Sequence, residues 1–145
     1  MSDTIEVREA RRDDRLAIKD LLSALLPSLA TQRGGAELIQ SGALIPDRPG
    51  WLTLIGASPD ALIVVGFLSV QSTAESTRGL LELLHSKDSA TSEAISAVVS
   101  FAQVLLRDRG ARALDIVSLP GDQVLKSSLE EQGFRARLLV MARDL

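Results

Sequence analysis

The sequence predicts a single α/β domain, a mixed sheet covered by helices, and three observations carry that expectation. Two strand-like runs, residues 51–57 and 61–71, are joined by Ser58-Pro59-Asp60, which reads as a β-hairpin. An amphipathic stretch over residues 91–109 is followed by a strand, a short helix and a further strand. The 145 residues, 46% hydrophobic and 24% charged, have the size and composition of one domain that buries most of its apolar surface. Hairpins early and strand–helix–strand units late give a mixed sheet of about six strands with helices packed on it.

Each element has a local reason. Ile5-Glu6-Val7-Arg8 alternates apolar and polar and reads as the first strand. Asp13 opens a helix whose apolar positions Ile18, Leu21, Leu22, Leu25 and Leu29 follow the i, i+3, i+4 rule, and Pro27 is expected to end or kink it. Gly34-Gly35 reads as flexible loop punctuation, residues 36–40 as a helical turn or two, and Pro46-Asp47-Arg48-Pro49-Gly50 as a loop. After the hairpin and a polar loop, residues 80–85 form another strand. The long helix follows, with a stripe of Ile95, Val98, Val99, Ala102, Leu105 and Leu106 and Gly110 as its C-terminal cap. Residues 113–119 are rich in strand formers. Asp122 caps a short helix that Gly133 ends, and residues 134–143 complete the sheet. Within that last strand Leu138-Leu139-Val140-Met141 is continuous rather than alternating. It is therefore expected to be buried on both faces, by the chain's own core or by a partner subunit in a homodimer.

Composition excludes several functions. A net charge of −3 and 3% aromatic residues do not build a nucleic-acid groove, which needs clustered cations and stacking rings. Arg8, Arg11, Arg12 and Arg15 alternate with Glu9, Asp13 and Asp14 as on a solvated face. With no cysteine there is no disulfide or thiol nucleophile, and one histidine is too few for a catalytic zinc site. No Gly-x-Ser-x-Gly elbow supports a serine hydrolase. The first residues lack a basic and an apolar region, and the apolar run 61–68, broken by Gly66, is too short to span a bilayer. A cytoplasmic protein without membrane contact is expected.

Taken together, the element order, the opening Ile5-Glu6-Val7-Arg8-Glu9-Ala10 with Asp13-Asp14, and the closing Glu130-Glu131-Gln132-Gly133-Phe134 resemble the GNAT superfamily of N-acetyltransferases. Leu119-Pro120-Gly121-Asp122, Lys126 and Ala136-Arg137 add to a resemblance that covers essentially the whole chain. It implies helices on both faces of the sheet and a splay between the fourth and fifth strands that takes the pantetheine arm of acetyl-CoA. It also implies a phosphate loop at the start of the long helix, reading Arg or Gln, two residues, Gly, one residue, Gly or Ala. Backbone N–H groups hold the diphosphate in such a loop, and glycines let them approach it.

An ungapped count from either side puts Ala90, Glu93 and Ile95 at the three key positions, none of which fits. A shift of three residues puts Lys87, Ala90 and Ser92 there instead, kinder chemistry that moves Ile95, Val98 and Val99 off the positions usually buried. The ungapped register is preferred. A carboxylate about 5 Å from a phosphate at an effective dielectric near 20 costs roughly 3 kcal/mol, so Glu93 predicts weakened cofactor binding. Leu84 and His85 complete the implied cofactor contacts.

The implied reaction is attack of an amine on the acetyl thioester, assisted by a base and by an acid for the leaving thiolate. Glu82 matches a position where the family often carries a base, beside the alternative of a glutamate on an open strand face. His85, the only histidine, could replace the missing acid or base, beside the alternative of a strand-end packing residue. Three apart on a strand, the two point to opposite faces. The family's usual acid is a tyrosine; its position falls on Leu129 and the chain contains no tyrosine, leaving Ser127 or Ser128 nearby. The expectation is a small-molecule or peptide amine acetyltransferase with weakened acetyl-CoA binding, or a catalytically silent module of the same fold that binds or dimerises.

Overall fold

A computed structural model gives the architecture and describes residues 4–40, 48–85, 92–120, 122–141, 143 and 145. The strands are β1 (Glu6–Glu9), β2 (Trp51–Ala57), β3 (Leu62–Ser72), β4 (Thr77–His85) and β5 (Ala113–Val117). The helices are α1 (Arg15–Thr31), entered through a 3-10 turn at Arg12–Asp14, then α2 (Gly35–Gln40), α3 (Ser92–Asp108) and α4 (Gln123–Glu131). The sheet runs in chain order β1-β2-β3-β4-β5. Its first four strands are antiparallel neighbours: short turns join β2 to β3 and β3 to β4, whereas α1 and α2 lie between β1 and β2. β5 joins β4 in parallel, and α3 provides the crossover that a parallel pair requires.

The alternation of side chains along the strands sorts the core into two layers. On one face Leu54, Val64, Leu68, Leu81 and Leu83 pack with the stripe of α3 and with Leu125 and Leu129 of α4. On the other, Ile55, Val65, Phe67 and Leu84 pack with Ile18, Leu22, Leu25 and Leu29 of α1. The central β3 is covered from both sides, so its run Ile63-Val64-Val65-Gly66-Phe67-Leu68 is continuous and fully buried.

Three expectations from the sequence are corrected. Pro27 does not end α1, the first of the two outcomes expected of it: the helix runs through it to Thr31. Pro27 and Ser23, whose carbonyl loses its partner, are both exposed, so water can satisfy the freed oxygen. Gly34-Gly35 is a close-packed turn, not loose punctuation: Gly34 has φ 80°, and a Cβ on Gly35 would lie 1.7 Å from the Leu29 carbonyl oxygen. The sheet has five strands among the described residues, not six. Residues 134–141 form no strand, and Leu138, Leu139, Val140 and Met141 are 73–82% exposed instead of buried on both faces. The run is apolar, but no described strand pairs with it, and pairing is what makes a strand.

Candidate functional site

β4 and β5 pair only from Arg78↔Ala113 to Glu82↔Val117. β4 continues to His85 beyond that point, so the two strands part and a cavity of about 390 Å³ opens between them. Its walls are mainly apolar, with Leu29 of α1, Leu83 and Leu84 of β4, Leu119 after β5 and Leu125 of α4, and His85 and Asp122 add polar atoms. The expected splay of the fourth and fifth strands is therefore built into the sheet.

The proposed cofactor contacts divide. Leu84 and His85 line the cavity. Lys87 and Ala90 lie outside the described residues. Ser92 begins α3, and its Oγ donates to Ser128 Oγ at 3.1 Å, tying the start of α3 to α4. Glu93 is exposed in the first helical turn, where a carboxylate complements the helix dipole but opposes a phosphate. Ile95 is 0% exposed within the core, as are Val98 and Val99, so its side chain faces away from any ligand. These are the three side chains that the ungapped count keeps buried.

Glu82 does not stand on an open strand face. It is 8% exposed on the sheet face covered by α1, and Arg48 Nη2 donates to its Oε1 at 2.6 Å. The guanidinium also lies over Trp51, 3.9 Å from the ring centroid, and 5.3 Å from that of Phe67. A carboxylate and two ring faces thus surround one cation, each stabilising the charged form. Phe67 is directly opposite Glu82 in the β3–β4 register, which fixes that part of the arrangement through the sheet itself.

His85 has a different partner. Its Nε2 and Asp122 Oδ2 are 2.8 Å apart, and since a carboxylate can only accept, the proton of this bond belongs to Nε2. Asp122 Oδ1 meanwhile accepts from the backbone N–H of Leu125 at 3.1 Å, the N-cap bond of α4. One carboxylate therefore caps a helix and links it to the end of β4 across the cleft. Glu82 and His85 are held by separate partners. Neither Ser127, exposed on α4, nor Ser128, buried under Ser92 and Gln132, reaches the Glu82 cluster by any hydrogen bond among the described residues. Leu129, where the resemblance implies a tyrosine, is buried in the core.

Sequence reasoning missed Arg48 and the second role of Asp122. Arg48 precedes Glu82 by 34 residues in a Pro- and Gly-flanked turn, and no local spacing links the two. Asp122 was visible as a cap, but its bond to His85 spans 37 residues.

No family model matches the sequence, and no curated protein matches it. Solved structures do. The chain is similar to a Trypanosoma brucei acetyltransferase at 21% identity, covering 98% of this chain and 100% of that one with a TM-score of 0.70. It is similar to a predicted acetyltransferase from Clostridium acetobutylicum, solved with acetyl-CoA, at 10% identity, over 97% and 96% of the two chains with a TM-score of 0.66. An aminoglycoside N-acetyltransferase in complex with CoA matches at 13% identity, over 99% and 97% with a TM-score of 0.69. The fold is that of the GNAT acetyltransferases, a mixed sheet with helices on both faces and an opening between its fourth and fifth strands. At these identities the likeness concerns the fold. Among the described residues no helix is long and apolar enough to cross a membrane.

Proposed function

We propose that this chain binds acetyl-CoA in the β4–β5 cleft and transfers the acetyl group to an amine, with cofactor affinity weakened by its phosphate loop. The observation that carries the reading is the end of the β4–β5 ladder at Glu82↔Val117, which opens an apolar-walled cavity lined from α1, β4 and the start of α4. Two of the similar structures were solved with CoA or acetyl-CoA. The apolar walls suit an extended thioester arm. The diphosphate end is the poorer match, because Glu93 brings negative charge to the first turn of α3 where a phosphate needs N–H donors.

When bound, the cofactor supplies an acetyl thioester, from which the amine nitrogen takes the acetyl carbon while sulfur leaves as thiolate. This chain's residues orient the amine and move its proton. Glu82 is the last residue of β4 paired with β5, at the point where those two strands part, and its carboxylate takes a proton once Arg48 withdraws. His85 lines the cleft and stabilises charge there, held in place by Asp122.

A second reading, a silent binding module of the same fold, is favoured by two observations: the Glu82 carboxylate is engaged by Arg48, and the chain has no tyrosine to serve as the acid. A thermal-shift titration followed by a thiol-release assay separates the two. A ligand at a hundred times its dissociation constant stabilises a fold by about 2.7 kcal/mol. We expect a clear shift with millimolar acetyl-CoA, little with micromolar, and thiol release on adding primary amines. A shift without turnover selects the silent module. No shift with millimolar acetyl-CoA overturns the cofactor site altogether.

For assembly we propose a homodimer. Arg137 forms a two-point ion pair with Asp115 on β5, at 2.9 and 3.0 Å, immediately before the exposed run 138–141, and no described strand pairs with the outer edge of β5. A second copy offers the same edge and the same apolar run in reciprocal positions.

A further inference from the structure

The cavity at the end of the β4–β5 ladder draws its walls from both faces of the sheet. Leu83 and Leu125 belong to the layer packed with α3 and α4, whereas Leu25, Leu29, Leu84 and Leu119 belong to the layer packed with α1. The gap between the strands therefore joins the two layers of the core. On the α1 side, Leu38 of α2 completes a wall of five leucine side chains.

Charge is scarce there. Of the described lining residues only His85 and Asp122 carry titratable side chains, and they bond to each other at 2.8 Å. The polar Ser28 and Gln32 also meet one another, Gln32 Nε2 donating to Ser28 Oγ at 3.4 Å. A charged group on the α1 side would be desolvated against leucines with no counter-ion, whereas an aliphatic group finds partners on every wall. The space also exceeds what an acetyl group uses. A volume of about 390 Å³ falls within the roughly 300–1,000 Å³ of pockets that enclose whole small molecules. Acetyl offers a single methyl group to the five leucines, and apolar walls without a partner atom forfeit dispersion contacts. Apolar cavities of this kind take up apolar ligands. Such contacts count for more in this chain because Glu93, in the first turn of α3, weakens the hold on a diphosphate.

We infer that the α1 side of this cavity is a site for an aliphatic acyl chain, and that the thioester it is shaped for carries a medium-length chain in place of acetyl. Leu25, Leu29, Leu38, Leu84 and Leu119 set that preference. The inference refines the acyl donor of the proposed transfer and rests on that reading for the thioester, though not for the binding of the chain.

The experiment is a calorimetric titration of the full chain with acetyl-, butanoyl-, octanoyl- and dodecanoyl-CoA below their micelle concentrations, and with 1-octanol alone. Each buried methylene adds about 0.8 kcal/mol, roughly fourfold, so octanoyl-CoA is expected to bind roughly tenfold or more above acetyl-CoA. The gain should stop before dodecanoyl-CoA, because the cavity is bounded. 1-Octanol should saturate and compete with octanoyl-CoA. Leu38→Trp fills the α1 side and should abolish the octanoyl advantage; Leu119→Trp replaces it if melting curves show that it does not fold. Equal affinity for acetyl- and octanoyl-CoA overturns the inference. So does a gain that continues undiminished to dodecanoyl-CoA, or one that survives in the folded tryptophan variant, since either marks adsorption to the surface. Competitive, saturable 1-octanol binding is required in every case. If it occurs with no binding of any CoA thioester, the chain site stands and the transferase reading falls. Acetyl-CoA binding without a chain-length gain removes this site alone.

Discussion

Gly35 begins α2 so close to α1 that the Leu29 carbonyl carbon would lie 2.7 Å, and its oxygen 1.7 Å, from any Cβ placed there. Backbone atoms cannot swing aside as a side-chain tip can, so the two helices would have to separate. Gly35→Ala should therefore cost at least about 1–3 kcal/mol, read as a lowered melting temperature by circular dichroism. A different residue-scale argument applies to Glu82 and Arg48. Removing one charge strands the other where water cannot reach it easily. Glu82→Ala should cost on the order of 3–5 kcal/mol, while the double change Glu82→Leu with Arg48→Met should recover most of that loss. Denaturant melts of the wild type, Glu82→Leu, Arg48→Met and the double variant give the coupling energy, and simple additivity would show that the pair contributes nothing as a pair.

At the scale of elements, Asp122 and Asp14 tie helix starts to strands. Asp122→Ala removes the α4 cap at a cost of about 0.5–2 kcal/mol and also the bond to His85 Nε2, whereas Asp122→Asn keeps an acceptor for the cap. The first variant should melt lower and the second close to wild type. Asp14 receives two bonds from the Arg8 guanidinium, one of 2.9 Å, and these hold its carboxyl at about 2, below its ordinary value of 3.8. A carboxylate with a depressed pKa stabilises the fold above its unfolded pKa, and that contribution fades as pH falls from about 4 through 2. Screening by solvent at this junction of β1 and α1 reduces it to roughly 1 kcal/mol or less. Urea melts at pH 5 and pH 2.5 should show a loss in wild type that is smaller in Arg8→Gln by about this amount.

On the scale of the whole molecule, the proposed homodimer rests on the outer edge of β5 and the run 138–141. Leu138 is 73% and Val140 79% exposed, so neither supports the fold of a single chain. Leu138→Glu with Val140→Glu should leave the melting temperature nearly unchanged and convert the proposed dimer to a monomer by light scattering. A wild-type monomer at high concentration would end the dimer proposal. Asp115 anchors the run by pairing with both Arg78 and Arg137, and the Arg78 bond above all lowers its pKa.

Much of the fold was legible because it is written in short-range periodicity. The bounds of β2 and the stripe Ile95, Val98, Val99 and Ala102 of α3 follow from spacings of two and of three to four, which every local window repeats. Glu82 and His85 could be singled out by residue type alone. Their partners could not. Arg48 reaches Glu82 through the turn before β2, and Asp122 reaches His85 across the gap between two parallel strands; both contacts exist only after the sheet has brought distant segments together. The residues of 134–141 show the converse, since an apolar run has strand propensity but a strand needs a neighbour to bond. By itself the sequence determined the order, type and buried faces of the elements, because side-chain period is a local property. The tertiary structure alone decided which charges meet and which edge stays open, because those depend on register and packing between segments that no local pattern encodes.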